Sequence, residues 1–111
     1  MRQSFNNALG LRTGEDGTSV VLDTRPDHQI APGLIHFAVL ATVAEVSAAQ
    51  SVGRAVVPAS IQLQLMRRAE PGRLVGRGKT LKLGRRLAVA EGEVFQNDRL
   101  VAKATVTFSV V

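Results

Sequence analysis

The fold of this chain is decided by the stretch LIHFAVLATVAEVSAAQ, residues 34–50. It is rich in alanine and free of glycine, which predicts a helix from about Ile35 to Ser51. Apolar residues cover nearly every side of that helix, so we expect it to be buried on most sides. Glu45 is the one formally charged residue between Asp27 and Arg54. Because an ionised group is almost never buried without a partner or a purpose, Glu45 is the first candidate for a functional residue.

The segments on either side of the helix predict strands. Apolar and polar residues alternate strictly in Ser60–Leu65, as in a strand with one face toward solvent. Thr18–Thr24 is rich in β-branched residues, and Ala8–Arg12 is expected to pair with it across the turn at Gly14–Gly17. Further strands and the turns between them are predicted at Arg73–Leu83, Gly84–Arg85, Arg86–Phe95, Gln96–Arg99 and Leu100–Val110.

The short turns determine the architecture. They force neighbouring strands to pair in an antiparallel manner, and a sheet that covers an almost wholly apolar helix must curl around it. We therefore predict an α+β fold in which a curved antiparallel sheet wraps one long buried helix, in a single domain over residues 1–111.

The charge balance indicates an anionic partner. Fourteen lysines and arginines stand against nine acids, which gives a net charge of +5. The basic residues never form a run longer than two, and the four aromatic residues are all phenylalanine. A stacking platform for single strands is therefore poorly supplied, and no nucleic-acid-binding signature is present. We expect an anionic metabolite as partner and no nucleic acid.

The remaining composition limits the chemistry and the compartment. The chain has no cysteine, which excludes thiol and zinc-thiolate chemistry. His28 and His36 lie without ligand spacing to carboxylates, so we expect no metal and no cofactor. Met1–Asn7 lacks the apolar core of a signal peptide, and polar residues interrupt the longest apolar stretch. We therefore expect a cytoplasmic protein that does not enter a membrane.

The stretch PGLIHFAVLATVAE, residues 32–45, together with the order of elements, resembles the hotdog-fold acyl-CoA thioesterases of the phenylacetate-degradation and 4-hydroxybenzoyl-CoA type. Their signature is a glycine, two residues, His-Gly-Gly, and an acid nine positions after the histidine. Gly33, His36 and Glu45 stand at those spacings. The resemblance implies a hotdog fold and a homodimer or homotetramer. It also implies hydrolysis of an acyl-CoA, with coenzyme A as part of the substrate.

The resemblance also implies roles for individual residues around Glu45, the catalytic carboxylate. Phe37-Ala38 stand where the family has Gly-Gly, and the Phe37 backbone N–H remains available for the thioester oxygen. Ile30 stands where the family has an asparagine or glutamine, and the adjacent Gln29 is the candidate replacement. His36 is expected to form local hydrogen bonds rather than to act as a catalytic base.

A separate set of residues is implied for the coenzyme A phosphates. By resemblance, Arg85 and Arg86 in the turn at Gly84 lie near them, because a guanidinium binds phosphate with two parallel hydrogen bonds. Lys82, together with Arg67-Arg68, adds to that positive field.

The start of the helix suggests the same chemistry independently. No Ser, Thr, Asp or Asn stands just before it, which predicts free N–H groups able to bind a developing oxyanion. Such donors lower the barrier by roughly 3–4 kcal/mol each. Glu45 lies roughly 13 Å farther along the helix, too far for one carbonyl to meet both within a protomer. We therefore expect two subunits to share the site, with Glu45 acting as a general base or as a nucleophile.

Three other interpretations stay open. The chain can be a non-catalytic hotdog protein that binds an acyl-CoA or an acyl chain. Glu45 can be a structural acid paired with an arginine of another strand. The least favoured interpretation is a basic nucleic-acid binder.

Overall fold

A computed structural model describes residues 4–111 of the chain. The elements in chain order are α1 (Phe5–Leu9), β1 (Arg12–Thr13), β2 (Val20–Asp23), a 3-10 turn (Pro26–His28), β3 (Gln29–Ala31), β4 (Leu34–Ile35), α2 (Phe37–Val52), β5 (Val56–Leu65), β6 (Arg73–Leu83), β7 (Leu87–Gln96) and β8 (Arg99–Val110). The helix α2 matches its predicted position, and it ends where Gly53 adopts a left-handed backbone conformation with φ of 71°.

The strands form one curved antiparallel sheet of six strands in the order β1-β2-β6-β7-β8-β5, and β3 and β4 form a separate small pair. The helix α2 packs mainly against β6 and β7. This arrangement confirms the predicted α+β hotdog architecture. The turn Gln96–Arg99 is a tight hairpin in which Asn97 and Asp98 both have positive φ.

The core lies between α2 and the concave face of the sheet. The helix residues that face the sheet recur at helical spacing and include Leu40, Val43, Ala44 and Ala48. The opposing residues alternate along β8, where Ala102, Ala104, Val106 and Phe108 are fully buried. The strand predicted at Leu100–Val110 is therefore confirmed, and one of its faces is buried. Burial of this apolar surface is the main stabilising term of the fold.

The N-terminal segment differs from the prediction. Ala8 and Leu9, predicted to begin a strand, belong instead to a short helix over residues 5–9. Ser4 Oγ caps this helix by accepting a hydrogen bond from the Asn7 N–H, and Gly10 terminates it with φ of 101°. Pairing with β2 is confined to Arg12–Thr13. The prediction that Met1–Asn7 contains no signal peptide concerns a segment whose first three residues lie outside the described part of the chain.

The strand β5 also differs from its predicted one-sided burial. It is an edge strand that pairs only with β8, and α2 is centred over other strands. Ile61 and Leu65 are therefore 46% and 53% exposed, although both face the helix side of the sheet. Most of the apolar face of β5 is left uncovered in the single chain.

Candidate active site

Glu45 lies on the side of α2 that faces away from the sheet. Its neighbours one turn away, Ala41, Thr42 and Ala49, are small and partly buried. Burial raises the pKa of the Glu45 carboxyl above its ordinary value. Within residues 4–111, this carboxylate has neither an ion-pair nor a hydrogen-bond partner. The alternative interpretation, a structural acid paired with an arginine of another strand, therefore has no such pair to support it within the described residues.

The start of α2 is capped, in contrast to the prediction. The Ala38 N–H donates to His36 Nδ1 at 2.9 Å, and the His36 ring stacks on Phe37 with 4.8 Å between ring centroids. Sequence reasoning missed this cap because it considered only the usual oxygen-bearing cap residues. In the described part of the chain the Phe37 N–H has no hydrogen-bond acceptor, so it is the donor that remains for a ligand.

The loop before the helix uses Gln29 for its own structure. Gln29 Oε1 accepts a hydrogen bond from the Gly33 N–H at 2.7 Å, which closes the turn between β3 and β4. The side-chain oxygen of Gln29, the candidate replacement, is thus engaged within the loop, and its side-chain amide NH₂ is the group that stays available. Ile30 beside it is 58% exposed.

An apolar cavity of about 410 Å³ opens at the start of α2. Its apolar walls come from the loop, the helix start and the end of β5: Ile30, Leu34, Phe37, Leu40, Leu65 and Met66. The Ile35 N–H donates to the Ala69 oxygen at 2.9 Å and ties the two sides of the cavity together. Sequence reasoning missed the cavity because its walls are distant in sequence. The apolar pair Leu65-Met66 at the end of β5 and just after it, directly before Arg67-Arg68, was the available signal.

The residues predicted to bind coenzyme A lie far from this cavity. Lys82 lies near the end of β6, and Gly84, Arg85 and Arg86 form the turn between β6 and β7. The Gly84 N–H closes this turn by donating to the Leu87 oxygen at 2.8 Å. The cavity adjoins the opposite end of β6, and a strand of this length spans roughly 33 Å. Three parts of the predicted site therefore lie apart in the single chain: the helix start with its cavity, Glu45, and the arginine turn.

Two further findings bear on the chemistry. The part of the chain from residue 4 to residue 111 contains no group of three or more potential metal-ligating side chains. Within the same range, no helix has the length and apolar character that crossing a lipid bilayer requires.

Comparisons with known proteins agree with this geometry. The family model "Acyl-CoA thioesterase N-terminal domain" matches residues 25–109. The phenylacetic acid degradation protein PaaI of Thermus thermophilus superposes with a TM-score of 0.87 at 27% identity, covering 96% of this chain and 98% of that chain. A comparison with curated protein sequences found no match.

Two more distant solved structures show the fold alone. A thioesterase of Haemophilus influenzae gives a TM-score of 0.87 at 20% identity, over 98% of this chain and 83% of that chain. A Bacillus halodurans protein solved with CoA gives a TM-score of 0.87 at 18% identity, over 100% of this chain and 78% of that chain. Because the family model covers most of the sequence, the chain belongs to the acyl-CoA thioesterase N-terminal domain family and is a hydrolase that acts on thioesters.

Proposed function

We propose that the protein hydrolyses an acyl-CoA to the free acid and coenzyme A, with Glu45 as the catalytic carboxylate in a site shared by two subunits. The observation that carries this proposal is the state of Glu45 itself. It is partly buried, its pKa is raised by burial, and no cation within residues 4–111 neutralises it. A desolvated carboxylate among small neighbours is a stronger base than one in water and leaves room for a substrate.

Two routes use this carboxylate. In the first, Glu45 removes a proton from water as the water oxygen attacks the thioester carbon. The C–S bond then breaks, and the departing sulfur takes up the proton. In the second, a Glu45 oxygen attacks the carbon and expels the coenzyme A thiolate, and water hydrolyses the resulting anhydride. In either route the carbonyl oxygen gains negative charge, which the free Phe37 N–H can stabilise by hydrogen bonding.

We propose that two subunits share the site because its parts lie too far apart to act together within one subunit. The edge strand β5 is long, and its apolar face is uncovered. Antiparallel pairing of β5 with a second copy reverses the direction of the partner. The partner's arginine turn is then brought to the same end of the dimer as the first subunit's helix start. The proposed site consists of this helix start together with Glu45 and Arg85 of the partner subunit.

The activity is tested by measuring free thiol release from a panel of aliphatic and aromatic acyl-CoAs. We expect turnover of at least one class, since the carboxylate and the oxyanion donor are both present. The alternative is a hotdog protein that binds an acyl-CoA without cleaving it, and the departures at Ile30 and Phe37-Ala38 motivate it. Calorimetric binding of a non-hydrolysable thioether analogue, with no thiol release from any member of the panel, would select that alternative.

The subunit arrangement is tested with the variant Ile61→Glu. Ile61 pairs with Val106 and so faces the helix side of the sheet, where a charge would lie at the interface with the second copy. We expect the variant to be monomeric by size-exclusion chromatography with light scattering and to lose thioester turnover.

The matched control for this test is Gln62→Glu. It places the same charge one residue away, on the opposite face beside Thr105. It should keep the oligomeric state and the activity of the wild type. If Ile61→Glu stays oligomeric and active, the interface lies elsewhere.

A further inference from the structure

The hairpin that joins β6 and β7 carries a group of exposed leucines at its end. Leu83 and Leu87 flank the turn at residues 84–86, and Leu81 lies at a bulge two residues before Leu83. Each of these three side chains is about half exposed. We call them, with the turn, the leucine tip. Because large apolar side chains gain free energy by leaving water, several of them exposed at one place mark a contact surface.

The leucine tip projects because β6 extends beyond its neighbour on one side. Within residues 4–111, β2 pairs with β6 only over Arg73–Gly76, so the second half of that edge has no adjoining strand. On the other side, Leu87 pairs with Ser109 of β8, which attaches the tip to the sheet. The tip is therefore a protruding corner of the sheet and not a groove.

The same hairpin carries positive charge without a compensating acidic side chain. Lys82, Arg85 and Arg86 are exposed, and in the part of the chain that the structure describes none of them lies within ion-pairing distance of a carboxylate. Residues 71–90 contain no aspartate or glutamate. The next acid along the chain, Glu91, already pairs with a lysine of β8 at 3.4 Å. The field around the tip is thus positive.

A fourth cation, Arg54, lies at the same end of the sheet. The Val110 N–H donates to the Arg86 oxygen at 2.8 Å, and the Val111 N–H donates to the Ala55 oxygen at 3.0 Å. The end of β8 therefore connects the hairpin to the segment that follows α2. Arg54 is exposed and, among the described residues, has no ion-pair partner.

We propose that this end of the protein docks on an anionic lipid membrane, with the leucine tip entering the interface and the four cations facing the headgroups. Buried apolar area and attraction to anionic lipid both strengthen such binding, and no segment has to cross the bilayer. Sequence reasoning expected no membrane contact because it considered only continuous apolar segments.

The shape and composition of the tip favour lipid over other anionic partners. Nucleic acid is favoured by aromatic side chains that stack on bases, whereas this hairpin offers leucines. A specific protein partner needs a complementary surface of about 800 Å² on each side, and a protruding corner supplies little of it. A lipid surface can adapt to a protrusion.

The test measures co-sedimentation of the full chain with vesicles of phosphatidylcholine alone, and with vesicles of equal parts phosphatidylcholine and phosphatidylserine. We expect binding to the anionic vesicles that weakens as salt is added. The double variant Leu83→Thr/Leu87→Thr should bind at least about tenfold more weakly, because threonine removes apolar area while keeping the preference for a strand. The control Phe5→Ser removes an exposed apolar side chain on α1 and should bind like the wild type.

The contribution of charge is tested separately, and this test does not depend on the folding of the leucine variant. Arg54→Gln should weaken binding to the anionic vesicles by about fivefold. The matched control Arg99→Gln removes an exposed arginine at the opposite end of the sheet and should change nothing. The proposed shared site already uses Arg85 of the partner subunit, so neither test changes that residue.

The outcomes are independent of thioester chemistry, since the vesicles contain no acyl-CoA. Failure of the wild type to bind, equal binding to neutral vesicles, or unchanged binding of the leucine variant overturns the proposal. Equal losses from Arg54→Gln and Arg99→Gln also overturn it, because the net charge of +5 would then attract the protein without a defined surface.

Two further results would assign the tip to another partner and so reject the membrane. The first is a smaller oligomer for the leucine variant than for the wild type by light scattering, which would make the tip a subunit contact. The second is retention of the wild type on DNA but not on anionic vesicles. Losses confined to the leucine variant and Arg54→Gln support the proposal, even in a protein that releases no thiol.

Discussion

Replacing Glu45 with glutamine is expected to lower kcat for acyl-CoA hydrolysis by at least about 100-fold, the scale of a lost general base. Glutamine keeps the size and the polarity of the side chain but cannot accept a proton or attack the thioester. Ground-state binding of coenzyme A should change little, so the loss should appear in kcat rather than in KM. Thiol release under saturating substrate measures it.

The stability of the same variant is a second measurement, and it should not fall although kcat does. Because burial raises the pKa of Glu45 in the folded state, the folded protein holds this proton more tightly than the unfolded chain does. Its free energy of unfolding therefore decreases as the pH rises from the ordinary pKa of a glutamate through the raised one. Glu45→Gln removes this penalty and should be at least as stable as the wild type at neutral pH, as measured by urea denaturation.

The two readouts together distinguish a catalytic from a structural carboxylate. The matched control is Glu93→Gln, which makes the same change on β7 and should keep wild-type activity, because Glu93 faces away from the helix. Retained turnover in Glu45→Gln would refute the catalytic assignment. A clear loss of stability would instead show that Glu45 is paired in the assembled oligomer.

The sequence predicted the elements of this fold well because their signals are local. The alanine-rich segment and the alternating strand at Leu100–Val110 each carry their periodicity within themselves. The N-terminal helix was missed because a single turn set by Ser4 and Gly10 has no periodicity to detect. The exposure of Ile61 was missed because alternation shows which side chains share a face, and not whether anything covers that face.

The site was predictable only in part. Glu45 could be found because an isolated charge in an apolar helix is visible in the sequence itself. The cap formed by His36 depends on which way an imidazole turns, and the apolar cavity depends on the approach of Phe37 to Met66 across the fold. Neither follows from spacing along the chain. Spacing along the chain also does not show that Arg67 and Arg85 lie at opposite ends of the sheet. For that reason both were expected near the coenzyme A phosphates.

Replacing Gly92 with alanine is expected to destabilise the protein by about 3 kcal/mol or more, or to prevent folding. Gly92 lies on β7 directly beneath α2, and an added Cβ would overlap the Ala44 carbonyl oxygen and lie 2.7 Å from its carbon. Those atoms are helix backbone, so they cannot rotate away as a side chain could. Relief requires α2 to lift from the sheet, which opens the core along its length. Urea denaturation followed by circular dichroism measures the loss.

The same substitution at other glycines gives values with which the loss of stability at Gly92 can be compared. Gly78 has the same relation to the Ser47 carbonyl and should behave like Gly92, whereas at Gly76 the added atom meets the Ser47 and Val43 side chains and should cost less. Gly17→Ala is the control, because nothing lies within 4 Å and only its φ of +76° opposes the change, at about 1 kcal/mol. If Gly92→Ala were no less stable than Gly17→Ala, the helix backbone would not rest on this strand. If the prediction holds, the contact between Gly92 and the α2 backbone fixes how closely α2 lies against the sheet. It thereby also fixes the position of Glu45 on the opposite side of the helix.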